Sequence, residues 1–418
     1  MRSHEPATEH RTAWPQAVVT RDDFQPDPTT QEKVTWLRHH LESAFPSARV
    51  DVRETHMSWI FLVGNRAYKL KKPVRFPYLN FSTLQRREQF CHVELELNRR
   101  LASDVYLDVV PMRLGRQGIS IDGSGRIIDW LVVMRRLAEG QTLENAIAEK
   151  RVATRHIYSL ADRLSNFYSR AKRPYLRDVI QFNQMRKTTI ADCRILLEPG
   201  LGLPSHLVRR VATAQRHYLQ TCREQIGRRV RQRRFIDAHG DLRPEHIWLD
   251  DGIRIIDCLE FDARLRCLDP VDELSFLSLE CERLGSAAVG AAIYRRAMQK
   301  MHDAPPPALF HFYRCHRGLL RARLAIAHLL EPSPRTPEKW PRRAREYLAI
   351  AVKDAFRLEQ LIKTQRGRRV VARHAIGGPS RPGGGQLGAP RPCRATIPRV
   401  AGRVGPSPRR SGARSPGR

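Results

Sequence analysis

Apolar positions along the chain change period several times, and each change marks an element. Thr29-Thr30-Gln31-Glu32 has the Thr-x-x-Glu form of a capping box, and Val34, Leu37, Leu41 and Ala44 then share one helical face. A helix is predicted to about Phe45, where Pro46 stops it. From Val50 the period falls to two: VDVRETH, SWIFLV and, past a Gly64-Asn65 turn, RAYKLKK read as three short strands of a meander. In TLQRREQFCHVELELNRRL, from Thr83 to Leu101, the residues Phe90, Val93, Leu97 and Leu101 return at helical spacing. VYLDVVPM and IIDWLVVM are two further strand candidates.

After Leu137 the pattern turns helical. TLENAIAEKR opens on an N-cap threonine, and VATRHIYSLADRLSNFYSRAK places Ile157, Leu160, Leu164 and Phe167 at three- and four-residue steps. More helical pattern fills 175–232 and again runs to about Lys363. Between them lie two strand-like runs, FIDAH and IRIID, flanking a loop. The fold class expected is α+β, with a strand-rich N-terminal lobe and leading helix over 29–134 and a helical C-terminal lobe over 135–364. A polar leader over 1–28 is expected to be flexible. The Arg-, Pro- and Gly-rich stretch 365–418 is expected to be disordered, because it holds too few large apolar residues to offset chain entropy.

Composition narrows the function classes. No run approaches the roughly 18 apolar residues that cross a bilayer, and the N-terminal stretch lacks the apolar centre of a signal peptide, so a cytoplasmic protein with no membrane partner is expected. The 8 cysteines contain no Cys-x-x-Cys pair, which speaks against a zinc knuckle or a disulfide framework. Of the net charge of +31, the stretch 365–418 contributes thirteen arginines and no acid, leaving +18 on the rest. Aromatic residues are not interleaved with that charge, so nucleic acid is not an expected partner except through the basic tail.

The chemistry concentrates in FIDAHGDLRPEHIWLDDGIRIIDCLEF, Phe235 to Phe261. If its two apolar runs form a hairpin, Asp241 and Asp257 reach one end of a small sheet and face one cleft. Such a pair suits phosphoryl transfer, one carboxylate taking the proton of an attacking hydroxyl and the other holding a divalent cation on the nucleotide phosphates. Asp237 and His239 also spell Asp-x-His-Gly, the first motif of binuclear phosphoesterases; the later Gly-Asp-x-x-Asp and Gly-Asn-His of that class are missing downstream.

His239-Gly240-Asp241, position 246 and Ile-Ile-Asp257 resemble the catalytic and metal motifs of the aminoglycoside phosphotransferase and choline kinase superfamily. ETHMSWIFLVGNRAYKLKKP and DCLEFDARLRCLDPVDEL are similar to the kinase-like half of uncharacterised phosphotransferase proteins often fused to a P-loop ATPase; no Gly-x-x-x-x-Gly-Lys-Ser/Thr sequence occurs in this chain. The resemblance implies a two-lobed protein-kinase-like fold, ATP in the cleft with Mg²⁺, and a small-molecule hydroxyl as phosphoryl acceptor. It implies Asp241 as general base and Asp257 as main metal ligand. It further implies Lys69 paired with Glu94 as a phosphate clamp, with Lys71 on the same strand face as the alternative lysine. His239 is implied as a buried ring bonding a carbonyl to hold the catalytic loop, and Met134 as part of the hinge facing adenine.

The chain departs from that family's pattern at His246, where an Asn is usual. Imidazole suits Mn²⁺ better than Mg²⁺, so His246 is either a metal contact or a hydrogen-bond partner of Asp241, and Glu260 or Glu245 could supply a missing oxygen. Asp269 or Asp272 is expected to cap a helix. The arginines and lysines of 173–232 favour a neutral or anionic acceptor over a polycation. The alternative function is a catalytically inactive nucleotide-binding regulator on the same scaffold.

Overall fold

The computed structural model describes residues 26–330 and 336–376, with side chains through Gln365. Most of the expected leader and tail lies outside these residues. Helix α1 (Thr30–Ala44) starts at the capping box: the Glu32 amide donates to the Thr29 hydroxyl at 3.2 Å, and the Thr29 amide donates to the Glu32 carboxylate at 2.7 Å. Strands β1 (Asp51–Glu54), β2 (Ser58–Val63) and β3 (Arg66–Lys71) form the antiparallel meander, turning at Gly64 with φ +50°. A ribbon of β4 (Arg75–Phe76) and β5 (Leu79–Asn80) leads into α2 (Leu84–Ala102). Strands β6 (Tyr106–Gly115), β7 (Gly118–Ser120) and β8 (Arg126–Arg135) complete a six-stranded antiparallel sheet in the order β1-β2-β3-β8-β6-β7.

The sheet is covered on both faces. Val34, Leu37 and Leu41 of α1 pack with Phe61, Val63, Leu70, Met112, Ile128 and Leu131 on one side. On the other, Cys91 and Ala102 of α2 pack with Ala67, Tyr106, Val109, Val132 and Met134. Because strand side chains alternate, Leu70 goes to the α1 face while Lys69 and Lys71 go to the α2 face. Helix α2 is turned from the expected apolar stripe: Phe90 and Val93 are only partly buried, whereas Arg87, Cys91, Glu94 and Asn98 are buried beside Leu97 and Leu101. Its buried face carries charges that find partners beneath it.

The C-terminal lobe is helical, as expected. It contains α3 (Leu143–Ala148), α4 (Thr154–Arg170), α5 (Asp178–Leu196), α6 (Ser205–Thr221) and α7 (Arg223–Arg231). Four two-residue strands follow, β9 (Ile236–Asp237), β10 (Ile247–Trp248), β11 (Arg254–Ile255) and β12 (Cys267–Leu268), with α8 (Ala263–Arg266) before the last. Helices α9 (Pro270–Arg283), α10 (Ala287–Lys300), α11 (Pro307–Ala327) and α12 (Lys339–Ile376) finish the described chain. The last helix continues past Gln365, so the helical lobe does not end at 364. The hairpin expected between FIDAH and IRIID does not form. β9 pairs with β12 and β10 with β11, because the long loop after β9 folds back on itself before the second run begins. Among the described residues no helix is long and apolar enough to cross a membrane.

One buried ion group ties α1 and α2 to the sheet. Asp129 of β8 accepts from Lys33 at 2.9 Å and from Arg87 through two contacts at 2.7 and 3.0 Å. Removing the carboxylate leaves two cations without their partner, so Asp129→Ala is expected to cost about 3–5 kcal/mol. Thr29→Ala, which removes only the cap, is expected to cost about 1 kcal/mol. Denaturant titrations of both variants measure the difference; equal losses would show that the ion group does not fasten the lobe.

Candidate active site

Alternation on β3 puts two lysines over one glutamate. Lys69 Nζ lies 2.7 Å from Glu94 Oε1, and Lys71 Nζ lies 2.5 Å from Glu94 Oε2 and 2.5 Å from Glu260 Oε1. Burial disfavours both ammonium charges, yet the surrounding carboxylates outweigh it, and both lysines are held above the ordinary lysine range. Glu260, expected as a metal contact, is therefore engaged elsewhere: it neutralises the buried Lys71 rather than facing the acids. Two lysines and two glutamates balance. The remaining neighbour, Asp257 Oδ1, stands 3.5 Å from Lys69 Nζ and brings the group to a net negative charge.

Asp257 owes its direction to its backbone. Its φ is +62°, a left-handed conformation that aspartate tolerates better than most residues, and its amide donates to the Tyr106 hydroxyl at 3.4 Å. The flanking amides of Ile256 and Cys258 are fixed by the His246 carbonyl at 3.0 Å and by Asn98 Oδ1 at 2.9 Å. The carboxylate stays half exposed, with 51% of its side chain accessible. Crowding by protein works against its ionisation, but Lys69 above all overcomes this and holds the carboxyl well below its usual range.

His246 lies between the two acids. Its Nδ1 is 2.9 Å from the Asp241 backbone carbonyl, which can only accept, so Nδ1 carries the proton. In the neutral ring Nε2 then holds a lone pair, and it faces Asp257 Oδ2 at 3.6 Å. Asp241 Oδ2 is 3.8 Å from the same ring. The structure thus brings Asp241, His246, Asp257 and Lys69 together without the hairpin that was expected to do it. Among the described residues no three His, Cys, Asp or Glu side chains already stand at metal-binding distances.

His239 is fully buried. Its Nε2 donates to the Ile256 carbonyl at 2.9 Å and its Nδ1 accepts from the Asp241 amide at 3.3 Å, which joins the loop carrying Asp241 to the segment entering Asp257. Burial, helped by the nearby His246, pushes its pKa down to about 4, so the ring is neutral. Met134 is a strand residue in register with Ala67 and Tyr106, and the next two amides, of Arg135 and Arg136, donate to Val105 and Asn65. An adenine ring would have to meet hinge backbone beyond Arg136.

Sequence reasoning missed three residues that hold this site. Glu273, fully buried on α9, accepts from the amides of His239 at 3.0 Å and Gly240 at 2.6 Å and from the Tyr168 hydroxyl at 2.9 Å. Gly240 has φ +92°, which glycine adopts without strain. Asn98 and Arg100 extend from α2; Arg100 donates to the carbonyls of Asp237 and Ala238 at 3.0 Å each. The adjacent Asp269 caps α9 as expected, whereas Asp272 pairs with Arg317. Asp237, the first acid of the phosphoesterase pattern, is occupied by Arg100 and Arg266.

No family profile matches the chain. An uncharacterised Mycobacterium tuberculosis protein, Rv2004c, is 29% identical over 290 residues, covering 68% of this chain and 56% of that protein, and the Mycobacterium bovis protein Mb2027c matches equally. The chain spans little more than half the length of these relatives. Among solved structures, a choline/ethanolamine kinase family protein from Mesorhizobium loti covers 77% of this chain and 98% of its own, at 14% identity and TM-score 0.44. Choline kinase LicA from Streptococcus pneumoniae covers 77% and 99%, at 15% and 0.43. The GDP complex of aminoglycoside 2'-phosphotransferase-IIIa covers 78% and 99%, at 14% and 0.43. Likenesses at this level say nothing of the chemistry, which has to come from the residues themselves.

The neutral His239 ring has a consequence for pH. Its folded pKa lies below the ordinary value of about 6.5, so the unfolded chain binds the proton first as pH falls. Its contribution to stability is complete above about pH 6.5 and is lost toward about pH 4, at up to about 1.4 kcal/mol per pH unit. Histidine NMR should show no titration of His239 above pH 5, and His239→Gln should flatten the acid limb of the stability curve. A ring titrating near its ordinary value would contradict the buried, neutral assignment.

Proposed function

We propose that the chain is a phosphotransferase that moves the γ-phosphate of ATP to a hydroxyl of a small molecule. The observation that carries this reading is the facing pair His246 Nε2 and Asp257 Oδ2, two electron-pair donors 3.6 Å apart beside an uncompensated negative charge. Two such atoms repel unless a cation or a proton stands between them. Divalent cations bound with nucleotide phosphates commonly take only one or two protein ligands, and this donor set fits that habit. When bound, held by Asp257 and His246, the cation would supply charge neutralisation for the transferring phosphoryl group.

The residues of the chain supply the remaining steps. Lys69, fixed by Glu94, donates to phosphate oxygens. Asp241, held by the His239 and Glu273 network, accepts the proton of the attacking hydroxyl as the oxygen–phosphorus bond forms in line with the departing diphosphate. The imidazole at 246 favours Mn²⁺, because nitrogen ligands suit it better than Mg²⁺. A second reading, nucleotide binding without turnover, draws on the same histidine: if Nε2 is protonated, it pairs with Asp257 and excludes the metal.

Asp241→Asn should lower turnover about 10²- to 10⁴-fold with ATP binding retained, the range for losing acid-base help. Asp257→Asn, which keeps the left-handed backbone but removes the charge, should abolish metal-dependent nucleotide binding. Steady-state assays and ATP titrations check both, and undiminished activity in either variant would remove that residue from the site. His246→Asn should shift the preference from Mn²⁺ toward Mg²⁺ by about tenfold or more in kcat/KM, since an amide oxygen replaces nitrogen. If neither metal supports ADP formation in the wild type while ATP still raises Tm, the non-catalytic reading holds instead.

A further inference from the structure

One arginine stands beside Asp241, and two more share Glu280. Arg243, two residues after the base, has Nη1 3.7 Å from Asp241 Oδ2 and pairs through Nη2 with Glu245. Its Nε is buried with no partner. Arg321 of α11 spends Nε and Nη2 on Glu280, at 3.1 Å, and on the Tyr347 hydroxyl, at 3.4 and 3.3 Å. No hydrogen bond reaches its Nη1 among the described residues, and that nitrogen is not among the buried unpartnered atoms, so it is open to solvent. Arg283 lies beneath them, 94% buried, with Nε on Glu280 at 2.8 Å and Nη2 bonded to nothing. Asp241 is among the charges that favour the Arg321 guanidinium, which places the two within electrostatic reach of each other.

We propose that the phosphoryl acceptor is a hydroxylated oxyanion, a carboxylate or a phosphate ester, whose negative group is held by Arg321 and Arg243 while its hydroxyl meets Asp241. This rests on the phosphotransferase reading. In this group the buried donors with no acceptor, Arg243 Nε and Arg283 Nη2, belong to guanidinium groups, whose planar N–H edges match two-oxygen anions, and Glu245 Oε2 is a buried acceptor with no donor beside them. Glu280 and Tyr347 do not cancel this. Both are fully committed, Glu280 to Arg283, Arg321 and the Tyr347 hydroxyl, and their effect is to hold the Arg321 plane still. A cationic acceptor brought within hydrogen-bonding distance of Asp241 would stand against Arg243, which is already beside that carboxylate.

The test uses the full chain with ATP and Mn²⁺ or Mg²⁺ and a matched panel: a polyol, its terminal carboxylate, its terminal phosphate and its terminal amine. The anionic members should exceed the polyol in kcat/KM by about tenfold or more, with the amine lowest, and the two anions against each other identify which oxyanion is preferred. Arg321→Gln should reduce the anion-to-polyol ratio about tenfold or more, and Arg321→Lys should restore part of it. Arg243→Gln tests the second guanidinium by the same ratio. Thermal shift with the same compounds reads binding without turnover, the anions raising the Tm of the wild type and not of Arg321→Gln. Turnover that favours the amine, or a ratio unmoved in both glutamine variants, overturns the anionic acceptor and leaves phosphoryl transfer standing. Complete absence of ADP formation with every member removes the phosphotransferase reading and this inference with it.

Discussion

The site depends on one carboxylate shared by two ammonium groups. Glu94 receives Lys69 and Lys71 on its two oxygens because the strand's two-residue period puts both lysines on the face that α2 covers. One glutamate cannot balance two buried cations, and each unpaired buried charge costs several kcal/mol. Glu260 closes the account for Lys71 from the segment just past Asp257. Lys69 is consequently the lysine left with a free side toward the cleft, where Asp257 lies 3.5 Å away. The two lysines, equivalent in the sequence, differ in that the second glutamate reaches Lys71 and Asp257 faces Lys69.

Helix α2 carries this arrangement across the molecule. Glu94 meets the lysines, Asn98 fixes the amide of Cys258, and Arg100 holds the carbonyls of Asp237 and Ala238. Three side chains within seven residues of one helix therefore reach the β3 lysines, the segment carrying the left-handed Asp257, and the entrance to the loop that carries Asp241. A small rotation or slide of α2 would loosen all three together, since packed elements tend to shift as units rather than deform continuously. That buried face mixes apolar residues with Arg87, Glu94 and Asn98, so direction-dependent hydrogen bonds add to apolar packing in setting the helix's position.

Much of this architecture was legible in the sequence where a local rule decides the outcome. The capping box at Thr29, the turn at Gly64 and the alternation of β2 and β3 need only near neighbours. What escaped depends on partners far along the chain. The apolar stripe expected on α2 was rotated because Arg87 and Glu94 are satisfied by Asp129 and by the β3 lysines, neither of which periodicity can reveal. Glu260 sits three residues past Asp257 and looked like a metal ligand, but a lysine 189 positions away in sequence captures it. Glu273 lies among acids read as helix caps; only the fold shows that it reaches back to the His239 and Gly240 amides. The expected hairpin failed for a related reason: two-residue strands are chosen by what surrounds them, not by their own propensity.

Long-range pairing also changes the meaning of the positive charge. Many of the arginines that raise it lie inside the helical lobe with acidic partners: Arg229 with Asp269 and Asp303, Arg314 with Asp354 and Glu282, Arg317 with Asp272, and Arg323 with Asp192. A paired, buried guanidinium projects little field into solvent, so it neither attracts a polyanion nor repels a cationic ligand at a distance. Its role is geometric, holding α7, α9, α11 and α12 in fixed relation through planar contacts that tolerate little sliding. The arginines beside Asp241 differ only in being incompletely spent. A cluster built by the same rule as the interior cannot move to satisfy itself, because Arg283 of α9, Arg321 of α11 and Tyr347 of α12 are all fastened to Glu280.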